Sequence, residues 1–68
     1  MKNTIKVERA KHDLTQADLA EKVNVSRQTI NSIEIGKYVP STLLALKIAF
    51  VFKVKVDDIF TLQKEDWR

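Results

Sequence analysis

The sequence predicts an all-α domain of five short helices, on three observations. One Gly and one Pro in 68 residues leave few breaks in the chain. Apolar residues recur at helical spacing through successive segments. Thr15, Ser26 and Ser41 each stand just ahead of such a segment, where a side-chain oxygen caps a helix. A chain this short makes one domain, residues 1–68, with a modest core and a net stability of about a few kcal/mol.

The first helix starts after Asn3 or Thr4, either of which can cap it, and puts Ile5, Arg9 and His12 on one face. Asp13 suits the turn that follows. Thr15-Gln16-Ala17-Asp18 reads as a capping box, with Asp in the place usually taken by Glu. Leu19, Ala20 and Val23 form the inward face of this second helix, and Asn24 supplies a left-handed turn. Ser26 caps the third helix, Ile30 and Ile33 are its apolar face, and Gly36 stops it. Lys37-Tyr38-Val39-Pro40 leads to Ser41 and a fourth helix over 42–52. Lys53-Val54-Lys55 is a short turn. Val56–Phe60 reads as a brief fifth helix, with Asp57 and Asp58 in the first turn, where the helix dipole favours anions. Phe60 and Leu62 then alternate, which leaves room for a short terminal strand pair.

Composition excludes several function classes. Without cysteine there is no disulfide and no thiolate metal site, and the single histidine, His12, removes most zinc arrangements. No cofactor is expected, and no small-molecule ligand is evident. The chain also lacks a Gly-rich phosphate loop and a second histidine, too small an inventory for an enzyme. No apolar run approaches a membrane span and nothing at the start resembles a signal peptide, so the expected location is the cytoplasm. The net charge is +3, unevenly spread: ten Lys/Arg against five Asp/Glu over residues 1–55, then two against four over 57–68. The first part can face phosphates; the tail is poorly suited to it.

The segment from Gln16 to Ile35 carries the functional reading. Two short helices meet at a tight turn, with small Ala20 at their crossing and Asn24 at the corner. Burying Val25, Ile30 and Ile33 leaves Arg27, Gln28, Asn31 and Ser32 facing out. Those four are rich in hydrogen-bonding groups, hold no carboxylate, and lie in the turns with which a recognition helix contacts base edges. Arg can chelate guanine, and Gln adenine. On spacing alone, an ordinary helical hairpin with a solvated polar face stays open beside DNA binding.

The residues Leu14-Thr15-Gln16, Ala17 to Lys22, Val25 to Ile30, Ile33-Glu34, Gly36-Lys37-Tyr38, Pro40-Ser41, Leu44 to Ala49 and Asp58-Ile59-Phe60 closely resemble the phage repressor and Cro-type helix-turn-helix regulators, the XRE family. The resemblance spans nearly the whole chain and is closest to minimal members that work as homodimers. It implies a lambda-repressor-like fold and a transcription regulator, expected to be a repressor, on double-stranded DNA. It places Arg27, Gln28, Ser32 and Asn31 toward bases, with Asn31 nearer the groove wall. Gln16, Thr29, Lys37 and Tyr38 fall at phosphate-contacting positions, Gln16 also bracing the recognition helix. Backbone amides at Lys37 and Tyr38 are expected to grip phosphate along with the side chains. Arg9 and Glu34 match an ion pair between the first and third helices. Four residues depart from the pattern. Asn24 replaces the usual turn Gly, Ile35 a polar residue, and Lys53 the Gly that ends the fourth helix; Glu8 replaces an apolar residue, which predicts a lightly packed first helix.

The rival expectation within this fold is an antitoxin-type protein that binds DNA and a toxin together. Co-purification of a neighbouring gene product distinguishes the two. Trp67 is read as packing loosely on its own domain.

The fourth helix predicts assembly. At 100° per residue, Leu44, Ala45, Ile48, Val51 and Phe52 share one face, while Leu43, Leu46 and Phe50 cluster on nearly the opposite side. A second apolar stripe on a small domain signals a partner surface, unless the tail around Phe60, Leu62 and Trp67 folds over it. The expected homodimer interface is Leu43, Leu46, Phe50, Ile59 and Leu62, over a near-palindromic operator.

Overall fold

The computed structural model describes all residues, 1–68. The elements are β1 (Lys2–Asn3), α1 (Ile5–Lys11), α2 (Gln16–Val23), α3 (Arg27–Glu34), α4 (Thr42–Phe52), α5 (Val56–Ile59) and β2 (Phe60–Thr61), followed by a 3₁₀ turn at Lys64–Trp67. The five helices thus fall where the apolar patterning predicts them.

The first four helices end in the same way. At Asp13, Asn24, Gly36 and Lys53 the chain turns into positive φ, at 57°, 60°, 85° and 58°. After each of these residues an amide bonds back five residues: Leu14 to the Arg9 carbonyl, Val25 to Ala20, Lys37 to Ser32 and Val54 to Ala49, at 2.9–3.1 Å. This is the Schellman closure, and it satisfies carbonyls that a helix end leaves without partners. Asp and Asn enter the left-handed region at lower cost than other non-glycine residues. Lys53 has no such aptitude, so the strain expected at that turn is present as a positive φ on an ordinary side chain.

The ends of the chain depart from the sequence reading. The fifth helix stops at Ile59, because Phe60 is already extended. β2 pairs antiparallel with β1, Lys2 opposite Thr61 and Asn3 opposite Phe60. A strand at the N-terminus carries no local signal at two residues long; only its partner makes it one. Thr4 stands at the N-cap of α1 without a side-chain bond to the helix. Asn3 does the local work instead: its Oδ1 accepts from the Ile5 amide at 3.2 Å, and its Nδ2 donates to the Ile33 carbonyl at 2.8 Å. That second bond ties the N-terminal strand to the end of α3.

The core is one cluster built from α1 to α5 and Phe60, with Phe52, Ile5, Leu19, Ile30, Ile33, Ile48 and Ile59 fully enclosed. α1 buries only two of its seven residues, Ile5 and the charged Glu8. The Glu8 Oε2 lies 3.4 Å from Lys11 Nζ. His12 closes the end of α1, its Nδ1 3.0 Å from the Glu8 carbonyl and its ring tilted on Phe52 at 5.2 Å between centroids. A carbonyl only accepts, so that nitrogen carries the proton. No helix is long and apolar enough to cross a membrane.

Candidate nucleic-acid interface

α2 and α3 form the helix-turn-helix, and local chemistry sets both starts. Thr15 Oγ1 accepts from the Asp18 amide at 3.0 Å, and Asp18 Oδ2 accepts from the Thr15 amide at 3.0 Å. The Thr15 backbone amide, helped by its hydroxyl, holds the Asp18 carboxyl below the usual carboxylate range. Ser26 Oγ likewise accepts from the Thr29 amide at 3.1 Å and lies 2.9 Å from Thr29 Oγ1. Ala20 is buried at the crossing of the two helices, as the need for a small residue there predicts.

The outward face of α3 carries Arg27, Gln28 and Asn31, all exposed, and Ser32, half-buried. Gln28, Thr29 and Ser32 gather with Ser26 and Tyr38 around a shallow depression of about 320 Å³. Arg27 and Asn31 lean to the other side, toward Gln16 at the start of α2. Gln16 Nε2 donates to Asn31 Oδ1 at 3.1 Å and to Glu34 Oε1 at 3.1 Å, while Arg27 Nη1 reaches Gln16 Oε1 at 3.4 Å. Ile35 ends the face, 58% exposed.

Glu34 is the one carboxylate on α3, and it is turned away from the outward face. Arg9 meets it with two bonds, Nε to Oε2 at 2.6 Å and Nη2 to Oε1 at 3.2 Å. The side chains are 14% and 7% exposed. Arg9 Nη1 also donates to the Leu14 carbonyl at 3.0 Å, so one guanidinium joins α1, the α1–α2 turn and α3. The bond to Glu34 raises the pKa of Arg9 above its already high ordinary value.

Two expectations change on this geometry. The amides of Lys37 and Tyr38 both donate to the Ser32 carbonyl, at 2.9 and 3.2 Å. The closure at Gly36 consumes them, and only the exposed side chains of Lys37 and Tyr38 remain for a phosphate. Ile59 is fully buried in its own domain and is withdrawn from the expected subunit interface. The other four residues of that set are on the surface, Leu43 at 64%, Leu46 at 54%, Leu62 at 57% and Phe50 at 83% exposure. Trp67 and Leu62 are both exposed, so the tail does not fold over the second stripe of α4. The Gln16–Glu34 bond had no signal in the sequence: the two residues lie 18 apart on different helices, and no periodicity links them.

Comparisons with known proteins agree with this architecture. A family model described as Helix-turn-helix matches residues 5–59. An HTH-type transcriptional regulator of Methanocaldococcus jannaschii is 58% identical over 66 residues, covering 97% of this chain and all of the relative. YgzD of Bacillus subtilis, also an HTH-type transcriptional regulator, is 50% identical over the same shares. Among solved structures, LexA of Eubacterium rectale, an SOS-response transcriptional repressor, superposes with a TM-score of 0.77 at 27% identity over 88% of this chain. ClgR of Corynebacterium glutamicum, a clp gene regulator, superposes with a TM-score of 0.74 at 26% identity over 79%. The chain spans 64% and 57% of those two structures, so the likeness concerns their helix-turn-helix portion. A capped pair of helices crossing at Ala20, a carboxylate-free outward face and a match over residues 5–59 place this chain in the DNA-binding, XRE-type helix-turn-helix family of transcription regulators.

Proposed function

We propose that this protein is a homodimeric, sequence-specific DNA-binding repressor that lays α3 in the major groove. Arg27, Gln28, Asn31 and Ser32 read base edges there. The side chains of Thr29, Lys37 and Tyr38 contact phosphate along the groove walls, while that of Gln16, both of whose N–H groups are taken by Asn31 and Glu34, is withdrawn from the phosphate set and braces the recognition helix. The observation that carries this reading is the charge pattern of α3. Its outward face is all donors and acceptors, and its single carboxylate, Glu34, is paired inward with Arg9. A helix so arranged meets no like-charge repulsion from a phosphate backbone.

Dimerisation rests on α4. Leu43, Leu46 and Phe50 form an exposed apolar stripe, and a groove of about 450 Å³ runs beside it between Leu46, Phe50, Val54 and Val56. A two-fold contact through this stripe and Leu62 sets two recognition helices about 34 Å apart, one turn of DNA, over a near-palindromic site. Occupying such a site blocks transcription from an overlapping promoter. The likeness to the helix-turn-helix portion of a LexA repressor supports that sign of regulation.

Selection of bound sequences from random duplex DNA, followed by affinity measurements on the best site and on random DNA, tests the reading. Arg27→Ala is expected to weaken the selected site far more than random DNA. Equal losses on both would remove Arg27 from base readout.

A further inference from the structure

We infer that the buried Glu34 carboxylate, acting through Gln16, fixes the polarity of Asn31, so that Asn31 presents its amide NH₂ to the groove and reads a purine N7. The inference rests on the reading of α3 as the groove-entering helix. It adds a positioning role for two residues outside the base-reading set.

Donors and acceptors alternate from Arg9 out to the groove face of α3. Arg9 can only donate, and it occupies both oxygens of Glu34. The carboxylate can only accept, so the end of Gln16 that meets Oε1 at 3.1 Å is the NH₂. That same nitrogen lies 3.1 Å from Asn31 and donates there as well, so the Asn31 atom facing it is Oδ1. The opposite end of the Asn31 amide, Nδ2, is then directed away from Gln16. The remaining atom of Gln16, Oε1, faces Arg27 Nη1, again an obligate donor. Each orientation in the series is dictated by the one before it, and the series starts at a side chain 7% exposed.

A free asparagine can rotate its amide and serve either a donor or an acceptor on a base. Here rotation would set the Asn31 NH₂ against the Gln16 NH₂ and break that bond. Asn31 is therefore held as a donor. In the major groove both purines offer N7 as an acceptor, whereas adenine N6 and cytosine N4 are donors. Guanine O6 and thymine O4 accept as well, but N7 is the acceptor that every base pair carries, so Asn31 is assigned to the N7 of the purine it faces and rejects a base that turns an exocyclic amine toward it.

The test uses the full chain and the best site selected from random DNA. First, each purine of the half-site is replaced in turn by its 7-deaza analogue, which removes N7 and nothing else. Wild type is expected to lose roughly threefold to tenfold at one purine, the size of one hydrogen bond, and Asn31→Ala is expected to be indifferent there. Second, Gln16→Met removes the relay while keeping the stem. The informative quantity is the ratio between bases at the Asn31 step. That ratio is expected to shrink severalfold, with the preference at the Gln28 step unchanged. An unchanged ratio at the Asn31 step, or no 7-deaza position that depends on Asn31, overturns the inference. Should Gln16→Met not fold, the 7-deaza scan on wild type and Asn31→Ala decides alone. Failure of the parent reading looks different: Arg27→Ala and Gln28→Ala would then lower binding to the selected site and to random DNA equally.

Discussion

The Arg9–Glu34 pair shows how one contact serves both stability and recognition. Two charges almost removed from water repay their desolvation only when every donor and acceptor is matched, and here Arg9, Leu14, Glu34 and Gln16 match one another. Deleting one partner strands the other. Glu34→Ala is expected to cost about 3 kcal/mol or more, comparable to the whole stability of a domain this size, so its thermal midpoint should collapse rather than shift. A midpoint within a few degrees of wild type would show that the pair is dispensable. At the surface the consequences are different in kind. Lys37→Ala is expected to weaken all DNA sequences alike and to reduce the salt slope by about one unit. Arg27→Ala should instead cost about 1–3 kcal/mol at one base step. Measuring both variants on selected and random duplexes across a salt series separates the two roles.

At the scale of the element, the helices are set by their ends. Thr15, Ser26 and Ser41 each accept a hydrogen bond from the amide three residues on, at 3.0–3.2 Å. Losing one such cap costs about 0.5–2 kcal/mol. The capping carboxylate adds a pH dependence whose sign follows from its depressed pKa. Asp18, held by the Thr15 amide, and Asp66, held by the Gln63 amide and then by the N-terminal ammonium, both titrate below their ordinary values. Their contribution is complete above the unfolded carboxylate pKa, near about 3.9, and disappears as pH falls through the lower folded values. The thermal midpoint is therefore expected to fall below about pH 4, and Asp18→Asn should flatten that fall. An identical acid profile in Asp18→Asn would rule the cap out as a cause. At the C-terminal ends, Lys53→Gly is expected to raise the midpoint, because glycine accepts φ near 58° without a Cβ penalty of about 1 kcal/mol. Gly36→Ala should do the reverse. A Cβ there meets nothing within 4 Å, so the loss would come from the backbone at φ 85° alone.

For the whole molecule, the question is what covers α4. A domain of this size leaves little apolar surface to spare, yet Phe50 stands 83% exposed beside Leu43 and Leu46. Sedimentation of wild type is expected to give a dimer at micromolar concentration, and Phe50→Lys a folded monomer with much weaker operator binding. A monomeric wild type, or a Phe50→Lys protein that remains dimeric and binds as before, would exclude this stripe as the interface. The domain itself is closed by its termini. β1 and β2 pair, Asn3 reaches the Ile33 carbonyl, and the N-terminal ammonium lies 3.1 Å from Asp66. The end of the recognition helix is thus braced by residues from the first turn of the chain.

Much of what short-range chemistry governs was legible in the residues: the caps at Thr15, Ser26 and Ser41, the left-handed turns at Asp13, Asn24 and Gly36, the buried faces of α2 and α3, and the polar face of α3. Each depends on neighbours within a turn or two, so spacing and side-chain type suffice. Two features were decided by tertiary structure alone. Ile59 and Leu62 both read as apolar residues near the end of the chain, and only packing put one in the core and the other on the surface. Gln16 and Glu34 became partners because two helices cross, a relation between distant segments that no local pattern encodes. A hydrogen bond of that kind is specified by the fold as a whole, and it is the one on which the orientation of Asn31 depends.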